Sequence, residues 1–308
     1  MRLTIQNPVL LLALIWCVLA LSLGSSRLSA QNGVRTIHQE RSLYRNILVT
    51  EDSSRRCMRF TITDLNGQNQ SCRLLANHDT LVFPYAKMVL SSLLVQDQPQ
   101  RILIVGLGGG TLVHTYSTLF PQADITIAEI DEAVVNVARQ YFDYQDTPLI
   151  RTEAVDARVF VKRAGLRGNK YDLVILDAFN GEYIPEHLMT AEFLEEVKLL
   201  LPAHGMVVAN TFSTSRLYAA ESNTYRQVFG EFFNVRMFGT GNRIIIASMQ
   251  PLPDSATLDS RAPDIQTRVT RFDMNIQELL PYLRTETDWD TSERVLTDQY
   301  APANLLNN

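Results

Sequence analysis

The chain has little cysteine, no concentration of one charge and no histidine cluster, and each lack narrows what it can be. Its three cysteines, Cys17, Cys57 and Cys72, are spread over 308 residues. None falls at zinc-ligand spacing, and His78 and His114 lack metal-spaced partners, so no metal site is expected. There is no Lys/Arg cluster, the net charge is −5 and the pI is near 5.6. That balance excludes the electrostatic footprint of a nucleic-acid binder and points to a small or peptidic substrate. No Ser-His-Asp arrangement is identifiable, and there is no repeat and no low-complexity tract. What remains, at 46% hydrophobic residues, is enough to bury one sizeable core and a small accessory unit.

The first feature present is an apolar run from Val9 to Leu23, behind Arg2 and ahead of Gly24, Ser25 and Ser26, with a small-residue cleavage signal at Leu28-Ser29-Ala30. At about 15 residues it suits a signal-peptide core better than a span of roughly 20. Arg27, Arg35 and Arg41 follow the run and only Arg2 precedes it, which favours an uncleaved anchor with the body in the cytoplasm. Residues 1–30 are therefore expected to be a signal peptide or a membrane anchor. The body is expected to be membrane-anchored and cytoplasmic or, after cleavage, exported to the periplasm or beyond. If it is exported, Cys57 and Cys72, flanking a hairpin-like segment that turns at Asn66-Gly67, could pair; two unpaired residues on neighbouring strands are the other reading.

The stretch from Arg101 to Asp131 organises the rest. Arg101 to Val105 is a short apolar run, as expected of a strand buried on both faces of a parallel sheet. A glycine turn follows, in which Gly106, Gly108, Gly109 and Gly110 allow positive φ and close approach to a ligand. Leu112 to Leu119 is helical, and Ile125 to Ile130 is the next strand. That strand delivers Glu129 about 20 residues after the turn, where a nucleotide fold places the carboxylate that takes both ribose hydroxyls.

Strands are also expected at Ile47 to Val49, Cys57 to Thr63, Ser71 to Leu75, Ile150 to Ala154, Leu173 to Leu176 and Met206 to Asn210. A hairpin of Val235 to Phe238 with Arg243 to Ser248 closes the set. Helices are expected at Val82 to Val95, Glu132 to Tyr141, Ala157 to Arg163, Thr190 to Leu200 and Tyr218 to Phe229. The fold class is α/β, a Rossmann-like doubly wound sheet with an antiparallel edge and a small N-terminal β domain. The boundaries read as a small β domain plus helix at 31–97, a nucleoside-binding domain at 98–250 and a tail at 251–308 with a helix near Ile276 to Leu283. Asp156 follows one strand tip, either to accept from an adenine amino group or to cap the next helix. Asp177 sits past another, pointing into the ligand crevice. His187 and Tyr183, on the loop after Asp177, are candidates to cover the site; an ordinary helix-start histidine is the alternative for the first.

These motifs resemble the spermidine synthase (polyamine aminopropyltransferase) family, within the class I S-adenosylmethionine methyltransferase fold. The carriers are S-L-Y-R-N-I-L-V at 42 to 49, Y-A-K-M at 85 to 88, G-L-G-G-G-T at 106 to 111, A-E-I-D at 128 to 131, V-D-A at 155 to 157 and Y-D-L-V-I-L-D at 171 to 177. V-L-T-D-Q-Y-A-P at 295 to 302 resembles the end of spermidine-synthase-like domains fused to membrane transporters. The resemblance implies a nucleoside site of Gly106, Gly108, Gly109, Gly110, Glu129, Ile130, Asp156 and Ala157. It implies Asp177 as the base, and substrate contacts from Tyr85, Asn180 and Tyr183. The co-substrate would be S-adenosylmethionine or its decarboxylated form, with no metal, a small amine or other small acceptor, and room for a homodimer.

The chain departs from the family where a diamine is held. Gly109 and Asn180 stand where the family carries aspartates, Arg45 stands for a glutamine and Lys87 for a glutamate. Burying an uncompensated ammonium costs several kcal/mol, so these changes oppose a doubly charged acceptor. The leading expectation is an aminopropyl or alkyl transferase with an altered acceptor site. A methyltransferase on the same fold and a non-catalytic nucleoside-binding domain at the membrane are the alternatives. Adenosyl sulfonium donors are made in the cytoplasm, so an exported body would lack its donor.

Overall fold

A computed structural model of the chain describes residues 33–60, 69–179 and 184–301. The apolar run 9–23, the Asn66-Gly67 turn, Asn180 and Tyr183 lie outside the described residues. Among the described residues no helix is long and apolar enough to cross a membrane. Residues 36–308 group as one unit, and of residues 1–35 only 33–35 are described.

Four strands come first, β1 (Arg35–Arg41), β2 (Asn46–Glu51), β3 (Arg55–Arg59) and β4 (Asn69–Leu74), in a sheet of that order. β1 extends the expected strand region toward the N-terminus. Cys57 and Cys72 stand opposite each other in the β3–β4 register and are joined as a disulfide, which decides between the two readings of this pair.

The chain then enters helix α1 (Pro84–Leu90), whose proline, lacking an N–H, sits in the first turn where none is needed. A 3₁₀ turn (Ser91–Leu94) continues it, so the expected helix is present in two forms. The alternation follows as β5 (Arg101–Val105), α2 (Thr111–Leu119), β6 (Asp124–Glu129), α3 (Glu132–Tyr141), β7 (Ile150–Ala154), α4 (Ala157–Leu166), β8 (Leu173–Leu176), α5 (Ala191–Lys198), β9 (Met206–Phe212) and α6 (Tyr218–Phe229). β10 (Phe233–Val235) and β11 (Asn242–Ser248) pair antiparallel and close the edge. The expected first strand of this hairpin sits earlier than the sequence suggests, because the chain turns away after Val235. The second sheet runs β10-β11-β9-β8-β5-β6-β7, with β9 to β7 parallel.

Period-two alternation puts Ile102 and Ile104 on one face of β5 and Leu103 and Val105 on the other, all at most 1% exposed. Full burial of such side chains contributes about 1.5–3 kcal/mol each, which is why a strand apolar at every position after Arg101 takes an interior place in the sheet. Helix α3 is apolar on two sides. Val135 and Ala138 pack on the large sheet, while Val134 and Val137 pack with Ile47, Val49 and Met58 of the small one. Asp131 starts that helix by accepting from Ala133 N at 3.1 Å.

The tail differs from expectation. A 15-residue helix, α7 (Ser255–Val269), contains Pro263 and buries Leu258, Ala262, Ile265 and Val269. The helix expected near Ile276 to Leu283 is instead two 3₁₀ turns, Ile276–Glu278 and Leu280–Tyr282, separated by Leu279, with Pro281 at the start of the second.

Candidate active site

The strand order reverses at β5, whose neighbours β6 and β8 lead away on either side, and such a switch point opens a crevice at the carboxyl ends of the strands. A cavity of about 800 Å³ lies there. β5, β6, β7, β8 and β9 bring Gly106, Glu129, Asp156, Asp177 and Asn210 to its wall.

Gly106 has a φ of +94°, and a Cβ there would lie 2.3 Å from the Asp177 carbonyl oxygen. No other residue fits, because the turn passes directly over the backbone that carries Asp177. Gly108 and Gly110 also take positive φ, whereas Gly109 is held by space: a Cβ would stand 2.6 Å from Ser71 Oγ and 2.9 Å from Phe142 Cδ1. Gly106 and Gly108 face the cavity. Gly109 is pressed against the small sheet and Gly110 against Tyr144.

Glu129, 5% exposed, ends β6. Its Oε2 accepts from Leu107 N and its Oε1 from Asp131 N, each at 3.0 Å. Burial raises its pKa above the ordinary value, while those two N–H groups and Arg45 counter the shift. Ile130 and Ala157 line the same cavity. Asp156 Oδ1 accepts from Val159 N at 3.0 Å, capping α4, and its Oδ2 lies 2.9 Å from His187 Nε2. The acid thus serves as a helix cap and faces the cavity at once.

Asp177 follows β8, its N–H donating to Val105 O at 2.9 Å. Asn210 Nδ2 donates to its Oδ1 at 2.8 Å, and the Tyr85 hydroxyl is 3.4 Å from its Oδ2. Asn242 Nδ2 donates to Asn210 Oδ1 at 3.0 Å, which fixes the amide with its N–H side toward the acid. Although the residue is only partly closed off, its carboxyl lies among protein atoms. Loss of hydration pushes its pKa up to about 7, against the opposing pull of Asn210 and Tyr85. The same burial and the facing carboxyl raise the Tyr85 hydroxyl well above its ordinary pKa.

Of the departures from the family pattern, Arg45 lines the cavity. Its Nη1 donates to Phe179 O at 3.2 Å, its Nε is 3.5 Å from Asp131 Oδ2, and its guanidinium lies over the Phe60 ring at 4.3 Å. Lys87 does not enter the site, because its Nζ donates to Asp273 O at 2.6 Å on the far side of α1. Asn210, Asn242 and Ser71 are site residues that sequence reasoning did not single out. Only Asn210 carried a signal, at the end of an expected parallel strand.

The spermine/spermidine synthase domain matches residues 82–240. A polyamine aminopropyltransferase of Vibrio vulnificus (strain CMCP6) is 44% identical over 305 residues, 97% of this chain and 99% of the relative. Among solved structures, a probable spermidine synthase from Corynebacterium glutamicum superposes with a TM-score of 0.63 at 20% identity, covering 84% of this chain and 98% of the other. Human methyltransferase-like protein 13 in complex with SAH superposes at 0.51 with 22% identity, covering 72% and 96%. The sheet is thus the methyltransferase-type α/β fold. The expectation of a membrane-anchored or exported body is corrected by the Vibrio relative, which is matched over nearly the full chain and is named as a polyamine aminopropyltransferase. The domain match, the near full-length identity and the convergence of Glu129, Asp156 and Asp177 on one crevice agree, and the chain belongs to the spermine/spermidine synthase family.

Proposed function

We propose that the chain transfers an aminopropyl group from decarboxylated S-adenosylmethionine to an amine, with Asp177 as the base. One observation carries the reading: Glu129, Asp156 and Asp177 line a single cavity at the carboxyl ends of neighbouring parallel strands. In it, Glu129 takes the ribose hydroxyls with both oxygens already oriented by backbone N–H groups, and Ile130 lies beside them. Asp156 and Ala157 take the adenine, and the turn carrying Gly106, Gly108, Gly109 and Gly110 supports the nucleoside from below.

Asp177 removes a proton from the acceptor ammonium as its nitrogen attacks the carbon next to the sulfonium. The N–C bond forms, the C–S electron pair returns to sulfur, and neutral methylthioadenosine leaves. A sulfonium is a good leaving group, so alignment and deprotonation are what the protein supplies. A carboxyl with a pKa of about 7 is suited to that task near neutrality.

Among the described residues, Asp177 is the one acid where the aromatic rings of Phe83, Tyr85, Phe179 and Phe212 surround the acceptor end, and Arg216 stands at the rim. This supports an acceptor less cationic than putrescine. Tyr85 is its nearest described contact, with Asn180 and Tyr183 proposed beside it.

A second reading, methyl transfer from S-adenosylmethionine, is favoured by one observation. The space beside Gly109 is filled by Ser71 and Phe142, so no acid can stand there to balance an ammonium, and S-adenosylmethionine, unlike its decarboxylated form, carries its own carboxylate beside the ammonium. Calorimetric titration with decarboxylated S-adenosylmethionine, S-adenosylmethionine and methylthioadenosine separates the two. Tighter binding of the decarboxylated donor is expected. Preference for the carboxylated one would favour methyl transfer, and no binding of any of the three would remove both.

A further inference from the structure

Beyond the reacting centre, residues 296–298 are pinned to the segment that walls the adenine end of the cavity. Leu296 is fully buried with Met189, Leu217 and Ala220, its N–H donates to Thr224 Oγ1 at 2.9 Å, and its carbonyl accepts from Ala191 N at 2.9 Å. Asp298 N donates to Glu192 Oε2 at 3.0 Å, and Thr190 Oγ1 donates to Asp298 Oδ1 at 2.7 Å. The Asp298 carboxylate also receives both Nη1 and Nη2 of Arg158, at 2.6 and 2.7 Å, a two-point pairing that fixes direction as well as distance.

Arg158 is the second residue of α4, whose cap is Asp156. Its Nε and Nη2 donate to Glu196 at 3.0 Å, and its Nη1 lies 3.5 Å from His187 O. Pro185 and Leu188 line the cavity, while His187 between them turns its ring to Asp156 Oδ2. The tail therefore joins, through one guanidinium, the helix that carries the adenine-side acid and the segment that walls it. Asp298 is partly exposed, and an exposed ion pair alone stabilises little. Its pairing with Arg158 nonetheless links residues 296–298 to α4 and, through Arg158 Nη1, to the His187 carbonyl at 3.5 Å.

We infer that residues 295–301 form a strap that sets the Pro185–Leu188 wall against Asp156, making Asp298 and Arg158 positioning residues for the nucleoside and His187 the contact through which they act. This rests on the proposed function, in which Asp156 holds the adenine. Lost pairing lets the wall drift, and the cost falls on donor binding rather than on the reacting centre.

The test is methylthioadenosine affinity by calorimetry, with donor and acceptor KM and kcat, for the full chain and for Asp298→Asn, His187→Ala and the double variant. Each single variant is expected to weaken methylthioadenosine binding at least fivefold and raise the donor KM in step. Acceptor KM and kcat should stay within twofold. The double variant should be no weaker than the worse single one, because both act on one contact. Asp298→Glu, which keeps the charge, should recover most of the affinity. Unchanged affinity in Asp298→Asn, additive losses in the double variant, or an equal fall in every kinetic constant would overturn the strap. His187 is half-exposed, so its variant keeps the test open should Asp298→Asn not fold. If the unaltered chain bound no methylthioadenosine, the proposed function and the strap would fall together; binding with an indifferent Asp298→Asn removes the strap alone.

Discussion

The Asp177 carboxyl receives a hydrogen bond from Asn210, faces the Tyr85 hydroxyl and is otherwise enclosed by protein, and these circumstances set the pH at which the site works. Because the base must be ionised, turnover is expected to rise with pH through about 7 and then level off. The Asn210 bond favours the ionised form, so Asn210→Ala should move that limb to higher pH and lower turnover at neutrality; a pH–rate profile reads both. The same burial has a cost to folding. A folded-state pKa raised above the ordinary 3.8 means that ionisation opposes folding, with a penalty that grows as pH rises from about 4 to about 7 and is constant above. Asp177→Asn removes the penalty. The variant should melt above the parent at pH 8, by a margin that shrinks at pH 5, while losing turnover. Equal melting differences at the two pH values would contradict the account.

At the scale of elements, β5, the glycine turn and β6 were legible because an uninterrupted apolar run, a cluster of glycines and an acid at fixed spacing leave few alternatives. Two things were not. The helix Ser255–Val269 was hidden by Pro263 within it and by Pro251 and Pro253 ahead of it, although Asp254 caps it through Thr257 N at 2.9 Å and its buried positions recur at helical spacing. Pro263 is tolerated because tertiary burial outweighs its propensity cost. The reason for Gly109 was hidden too, since its constraint comes from Ser71 and Phe142, far away in sequence. Lys87 illustrates the same limit: its position in a family motif says nothing of which way its side chain turns. Gly109→Ala should destabilise the protein by about 1–3 kcal/mol through overpacking of the Phe142 ring, measured by urea unfolding. An unchanged midpoint would show that the small sheet yields at no cost.

Across the whole molecule, the parallel strands, the antiparallel edge and helix α6 are joined by one buried charge network. Arg243 of β11, fully buried, donates to Glu221 and Ser222 of α6 and to Thr211 of β9, with the Tyr218 ring over its guanidinium at 4.2 Å. Thr211 adjoins Asn210, so this network also backs the residue that orients Asp177. Glu221→Gln leaves a buried guanidinium uncompensated and should cost about 3–5 kcal/mol in urea unfolding, while Glu221→Leu combined with Arg243→Met should cost far less. Equal losses in the two would mean that packing rather than charge holds this edge.

The measurement that bears most directly on the whole account is mass spectrometry of the products formed from decarboxylated S-adenosylmethionine and a panel of mono- and diamines, run beside Asp177→Asn. The account predicts methylthioadenosine and an aminopropylated amine in equal amounts, both absent with Asp177→Asn although that variant still binds methylthioadenosine. Product formation unaffected by Asp177→Asn would contradict the assigned base. No aminopropylated product, with S-adenosylhomocysteine formed from S-adenosylmethionine instead, would contradict the assigned reaction.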